Sequence, residues 1–370
     1  MKILIIEGDI YNAIAGFRKD LFLELEKEHD VYIAGSIAYD WQKKELLFNN
    51  RKIYLLGKLS KSFFMSVIYF IRILHILITV RPDVCFSFNL RPNLFLGLAS
   101  AFQRVKIAAT ITGTGFMFES KVYKVKLFQI LYRLVLSKFN MVFLQNQSDF
   151  DQMLANGFSF QTSKVISGSG VDVEKFKPSK TSFNKSGFAK FLFISRLIRE
   201  KGFFEFIEAA KNMRKKFPGA EFFVIGSYYK SGLKNSEIDE NIIENLHDQG
   251  VITYLGHKQN IISYIEDVDC VVLPSYREGM SNALMEAASL AKPIIATNVP
   301  GCKELVDDGQ TGYLCNVKES KDLQQKMELF IDLARDKRIE MGNRGREKMV
   351  KSFNRKAVIS EYLKFISSLK

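Results

Sequence analysis

The chain alternates short apolar runs with helical patterns from end to end, and that alternation leaves few architectures open. Runs at residues 2–7, 30–34, 52–56, 84–88, 106–111 and 141–145 read as strands, and the segments between them carry apolar residues at helical spacing. A second series starts after residue 180, with Phe191-Leu192-Phe193-Ile194, Glu221-Phe222-Phe223-Val224-Ile225, Val251-Ile252-Thr253-Tyr254-Leu255, Cys270 to Leu273 and Ile294 to Ala296. Apolar strands separated by helices form parallel sheets covered on both faces, so the expected class is α/β, doubly wound. At 370 residues the chain exceeds the usual size of one core, and two domains are expected. Glycines interrupt the pattern at Ser167-Gly168-Ser169-Gly170-Val171-Asp172, which marks the junction, and Phe176-Lys177-Pro178 leads into a linker.

Composition excludes several classes. Hydrophobic residues make up 47% and charged residues 25%, an ordinary globular balance without low-complexity segments or repeats. Cys85, Cys270, Cys302 and Cys315 show no C-x-x-C spacing, so neither a disulfide framework nor a zinc site is indicated and a reducing cytoplasm is expected. The run Met1 to Glu7 is too short for a signal peptide and reads as a first strand.

Charge is unevenly spread. The chain carries a net +13, and 14 Lys and Arg against only Asp83 and Glu119 place +12 of it between Arg51 and Ser148. A local basic region implies an anionic partner. No nucleic-acid motif accompanies it, and the interleaved residues are large and apolar. Residues 121–133, with Lys121, Lys124 and Lys126, have the composition of a basic amphipathic surface helix, which points to an anionic membrane; solvated lysines on an ordinary helix are the alternative. Phe63 to Val80 just reaches spanning length, but Arg72 and His75 interrupt it near the middle, and a helix packed on a sheet accounts for the same pattern.

Glu278 and Glu286 carry the chemistry. Cys270 to Leu273 reads as a buried strand ended by Pro274-Ser275, and Asn282 to Leu290 as a helix capped by Ser281. Glu278 then lies in the loop at the strand's carboxyl end, where open α/β sheets bind ligands, and the amides of Ser281, Asn282, Ala283 and Leu284 open a helix that favours phosphate. Glu286 follows about a turn later. Two glutamates alone would ordinarily be solvated surface residues. Arg196 and Lys201 fall in Ser195-Arg196-Leu197-Ile198-Arg199-Glu200-Lys201-Gly202 after strand 191–194, placed to neutralise a diphosphate. Asp267-Val268-Asp269 has metal-diphosphate spacing but precedes its strand, so it reads as a structural turn.

With Gly279, Pro293, strand 294–297 and Pro300-Gly301-Cys302-Lys303-Glu304-Leu305-Val306, this block resembles the donor site of retaining glycosyltransferases of family 4. The resemblance implies the GT-B fold, two Rossmann-like doubly wound domains facing across a cleft. It implies roles for Glu278, Arg196 and Lys201 in catalysis and for Glu286 at the donor ribose. It places Gly226, Gly256 and His257 beside the nucleotide base, and Gly16 is also assigned to donor binding. It implies residues 1–170 as an acceptor-binding, membrane-facing domain, 171–352 as the nucleotide-sugar domain, and 353–370 as a helix crossing back to the first.

The first-domain loop Gly8-Asp9-Ile10-Tyr11-Asn12-Ala13-Ile14-Ala15-Gly16-Phe17-Arg18 is similar to the subgroup that extends undecaprenyl-diphosphate-linked glycans, N-acetylgalactosaminyltransferases among them. So are Asn89-Leu90-Arg91-Pro92-Asn93 and Ile111-Thr112-Gly113-Thr114-Gly115-Phe116. That makes Arg18 and Arg91 candidates for the acceptor diphosphate and Gly115 a lining residue. No histidine falls where many members have one in the first domain. The implied activity is metal-independent transfer of one sugar, with no cofactor, from a nucleotide-sugar, expected to be UDP-linked, to a lipid-diphosphate glycan. The implied location is peripheral, on the cytoplasmic membrane face. The alternatives are a nucleotide-sugar 2-epimerase of the same fold and a catalytically silent partner in polysaccharide assembly.

Overall fold

The computed structural model describes residues 1–37, 52–58, 63–118, 123–179, 189–228 and 238–369. Two compact units emerge: residues Met1–Ser169 with Ala357–Lys370, and Gly170–Lys356.

The first unit is built on seven parallel strands, β1 (Lys2–Asp9), β2 (Asp30–Ile37), β3 (Lys52–Lys58), β4 (Val84–Phe88), β5 (Lys106–Ile111), β6 (Met141–Leu144) and β7 (Ser163–Val165), in the order β3-β2-β1-β4-β5-β6-β7. Ile3 pairs with both Val31 and Val84, so the chain order reverses between β1 and β4. Its helices are α1 (Ile10–Ala15), α2 (Lys19–Glu26), α3 (Phe63–Val80), α4 (Leu90–Ala99), α5 (Tyr123–Leu136) and α6 (Gln147–Ala155). The chain's last helix completes one face. Its Tyr362 ring lies 4.5 Å from that of Phe143, and its hydroxyl hydrogen-bonds Thr110 at 3.0 Å.

The span Phe63–Val80 folds as α3. Tyr69, Ile73, Ile76, Leu77 and Val80 are buried, while Phe64, Val67, Ile71 and Ile78 remain exposed. Among the described residues no helix is long and apolar enough to cross a membrane.

The second unit holds six parallel strands, β8 (Lys190–Ile194), β9 (Glu221–Ile225), β10 (Thr253–Tyr254), β11 (Cys270–Leu273), β12 (Ile294–Thr297) and β13 (Gly312–Cys315), in the order β10-β9-β8-β11-β12-β13. Chain order reverses between β8 and β11. Helices α7 (Phe203–Lys216), α8 (Glu240–Asp248), α9 (Ile262–Glu266), α10 (Asn282–Ser289), α11 (Ser320–Asp332) and α12 (Arg335–Ser352) surround this sheet. The chain ends with α13 (Arg355–Ser367). The run 251–255 pairs over only two residues, and β7 and β13 are strands the alternation did not reveal. All three lie on sheet edges, where one neighbour and an open flank permit short, mixed-polarity strands.

Candidate active site

The reversal point of the second sheet gathers the charged residues. β8 runs directly beside β11, so the loops leaving their carboxyl ends are neighbours. The first carries Arg196 and Lys201, and the second carries Glu278. Their backbones are fastened together. Tyr276 donates its N–H to the Glu200 carbonyl at 2.8 Å, Ser275 donates its hydroxyl to the same carbonyl at 3.2 Å, and the Tyr276 hydroxyl reaches Glu205 at 2.7 Å. Gly202, at φ 75°, lies so close to Pro274 that a Cβ there would sit 2.0 Å from the Pro274 carbonyl oxygen. On the other side Gly301, at φ 80°, brings its Cα against Glu278, with 2.5 Å left between a Cβ and the Glu278 carbonyl. Only glycine fits either place.

Within this frame Lys201 Nζ lies 2.5 Å from Glu278 Oε1, and both side chains are largely shielded, at 14% and 12% exposure. Arg196, on the same loop as Lys201, is exposed. Arg196 and Lys201 thus bring two cations to the sheet's edge, the second paired with Glu278. That is the electrostatic condition for holding an oxyanion.

Helix α10 opens beside them. Ser281 caps it, its Oγ accepting from the Leu284 amide at 3.4 Å, while the Ser281 N–H donates to the Gly301 carbonyl at 3.1 Å. Two of the four amides expected to face a phosphate are therefore spent within the protein, because cap and loop closure use them.

Glu286, one turn along, is partly buried, and desolvation lifts its carboxyl to about 7 against the opposing pull of Arg355 and Lys175. Gly170, at φ 64°, lets the Arg355 backbone approach: a Cβ there would meet Arg355 Cα at 2.5 Å. Arg355 Nε bonds the Gly170 carbonyl at 3.3 Å.

The loops after β9 and β10 are joined by Gly226 N–H on the Gly256 carbonyl at 3.1 Å, and the Tyr254 hydroxyl donates to Gly226 at 2.9 Å. Gly226 abuts Ser195, its would-be Cβ 1.9 Å from that carbonyl, and His257 is exposed. Asp267 and Asp269 sit at the opposite edge, where Asp269 accepts the Lys190 amide at 2.8 Å and Asp267 the Lys190 ammonium at 3.0 Å.

In the first unit one candidate is placed differently from the sequence reading. Arg18 is not an open cation: it is 6% exposed, its guanidinium covers Phe88 at 4.1 Å and Phe17 at 4.7 Å, and its Nη1 lies 3.0 and 3.2 Å from the two oxygens of fully buried Glu7. A buried arginine requires such a counter-charge, and Glu7 was not legible as its partner. Arg91 lies partly buried over Tyr69 at 4.7 Å and bonds Ser66 at 3.5 Å. Gly115, at φ 53°, begins a short turn with open space where a side chain would be. Gly16 sits in the turn between α1 and α2, its carbonyl accepting from Lys19 at 3.2 Å. Lys126 is exposed on α5, Lys124 lies in that helix with its side chain undescribed, and Lys121 falls outside the described residues.

The sequence reading missed Tyr276, Gly202 and Gly301, which set the frame. The two glycines follow Lys201 and Pro300 directly, a signal for close approach that only the fold explains.

Residues 174–348 match the family described as glycosyl transferases group 1. The chain is 26% identical over 299 residues to the Campylobacter jejuni N,N'-diacetylbacillosaminyl-diphospho-undecaprenol alpha-1,3-N-acetylgalactosaminyltransferase, covering 76% of each protein. It is 27% identical over 202 residues to the Staphylococcus aureus capsular polysaccharide biosynthesis glycosyltransferase CapM, covering 53% of this chain and 52% of CapM. The solved structure of Anabaena HepE in complex with UDP and glucose superposes with a TM-score of 0.80 at 16% identity over the whole of both chains, a likeness of fold.

Proposed function

We propose, from the match of residues 174–348 to the group 1 glycosyltransferases and the likeness of fold to HepE, that this chain is a retaining glycosyltransferase of GT-B architecture that transfers one sugar, an N-acetylhexosamine, from a UDP-sugar to a lipid-diphosphate-linked glycan in bacterial surface-glycan assembly. The observation that carries the donor half is the charge cluster at the β8/β11 reversal: Arg196, the Lys201–Glu278 pair and the opening of α10. Arg196 and Lys201 take the diphosphate, Glu278 the sugar, and Glu286 the ribose hydroxyls. The bond from the anomeric carbon to the diphosphate breaks while the acceptor oxygen bonds the same face of that carbon. The acceptor's proton passes to the departing diphosphate. Protein cations and helix amides compensate the developing charge without a metal.

The acceptor half is assigned to the first unit, docked peripherally on the cytoplasmic face of an anionic membrane. Its support is the outer face of α5, where Tyr123, Leu127, Ile130 and Leu134 are exposed beside Lys126. The acceptor in the C. jejuni relative's name, a diphospho-undecaprenol saccharide, favours the same class. Incubation with a panel of nucleotide-sugars and bacterial membrane lipid extract, followed by mass analysis, tests this reading. A lipid-linked product heavier by one N-acetylhexosamine residue is expected with a UDP donor. Release of free sugar epimer in its place would overturn it.

A further inference from the structure

The first sheet has a reversal point of its own, between β1 and β4, and it is built differently from the cation-rich one in the second sheet. Past the paired residues Ile6 and Ser87, β1 runs on through Glu7-Gly8 while β4 ends at Phe88, with Asn89 next in the chain. Asn89 stands there at φ 76° and ψ 160°, a region that is essentially glycine's own. It occupies the position before α4 where an asparagine ordinarily caps the helix, yet its side chain makes no cap bond. Its Oδ1 instead accepts the hydroxyl of Thr112, just beyond the end of β5, and Gly113 after it holds φ 128°. Nδ2 lies over Gly8, 3.1 Å from where a Cβ would be, and among the described residues it donates to nothing.

Beneath this pair the Glu7–Arg18 ion pair ties the two strand ends together. Glu7 belongs to β1, and Arg18 stacks on Phe88, the residue before Asn89. A buried charge pair contributes little net stability but fixes geometry. Two independent costs, a strained asparagine and a desolvated ion pair, therefore converge on the edge where a doubly wound sheet binds ligands.

We propose that Asn89 Nδ2 and Thr112 Oγ1 recognise a hydroxyl of the acceptor's terminal sugar, one as donor and the other as acceptor, with Glu7 and Arg18 as positioning residues. A sugar hydroxyl both donates and accepts, which this neutral pair matches. A diphosphate is a poorer occupant, because Arg18, stacked on the neighbouring Phe88, is paired with Glu7. The inference rests on the lipid-linked-glycan reading above.

The test uses the full chain, a UDP-N-acetylhexosamine donor and a short polyprenyl diphosphate bearing one N-acetylhexosamine as acceptor. Asn89→Gly removes the carboxamide while relieving the backbone, so it melts no lower than the wild type. Its acceptor KM rises at least tenfold with the donor dissociation constant unchanged. Thr112→Val behaves likewise, and Thr112→Ser restores acceptor KM. Among mono-deoxy acceptors, one is poor for the wild type and no poorer for Asn89→Gly. Wild-type turnover with acceptor KM within twofold in both Asn89→Gly and Thr112→Val overturns the assignment alone. No wild-type turnover of the probe overturns the lipid-linked reading and this assignment with it.

Discussion

Glu286 offers the sharpest quantitative consequence. Desolvation raises its carboxyl from 4.5 to about 7, with Arg355 and Lys175 only partly opposing. If the ionised form grips the ribose, donor affinity follows the ionised fraction, about nine-tenths at pH 8 and about one-tenth at pH 6. The dissociation constant of a UDP-sugar should therefore rise about tenfold, or about 1.4 kcal/mol, between those values. Titration calorimetry at pH 6, 7 and 8 measures it directly. The intact nucleotide-sugar is the right ligand, since a terminal phosphate would itself titrate near pH 6. Glu286→Ala should cost about 1.5–3 kcal/mol at pH 8, the scale of a hydrogen bond to a charged group.

The same group has the opposite effect on folding. Its folded-state pKa is raised, so the native protein holds a proton that the unfolded chain releases between pH 4.5 and about 7. Stability from this residue then falls as pH rises through that window, by at most about 3 kcal/mol above it. Glu286→Gln should accordingly melt higher than the wild type at pH 8 while binding donor more weakly and without pH dependence. A donor affinity flat from pH 6 to 8 in the wild type, or a Glu286→Gln variant that melts lower, would refute the reasoning.

Other perturbations act on the frame and the charges. Arg196→Ala and Lys201→Ala should each lower turnover by about 10²–10³, with a smaller effect on donor binding in calorimetry, because their charge matters most as the diphosphate departs. Chelation should leave the rate unchanged. Gly301→Ala places a Cβ 2.5 Å from the Glu278 carbonyl at φ 80° and should cost more than about 1 kcal/mol in denaturant melts together with a loss of activity. Reversing Lys121, Lys124 and Lys126 to glutamate should release the protein from anionic vesicles in co-sedimentation, at roughly 1 kcal/mol per residue, with donor affinity intact.

What the sequence revealed and what it concealed divide along physical lines. Long apolar runs such as Phe191 to Ile194 and Cys270 to Leu273 are buried on both faces and announce themselves, as does the strand-to-helix step at Ser281. Strand ends therefore locate the β8 and β11 loops from sequence alone. The two-residue β10 and the edge strands β7 and β13 carry too few buried positions for a period to register. Pairings across the fold were hidden for another reason. That Glu7 would meet Arg18, eleven residues on, or that Ser281's amide would be taken by Gly301, depends on where loops close in space and leaves no local pattern. Nothing in the sequence marks Asn89 as strained, and only its dihedral angles show it.

The central claim is that Arg196, Lys201 and Glu286 hold the donor at the β8/β11 reversal. A crystal structure with a bound UDP-sugar tests it most directly. The expected result is diphosphate oxygens within hydrogen-bond distance of Arg196 and Lys201, and ribose hydroxyls on the Glu286 carboxylate. A nucleotide bound elsewhere, with the Lys201–Glu278 edge left to solvent, would contradict it.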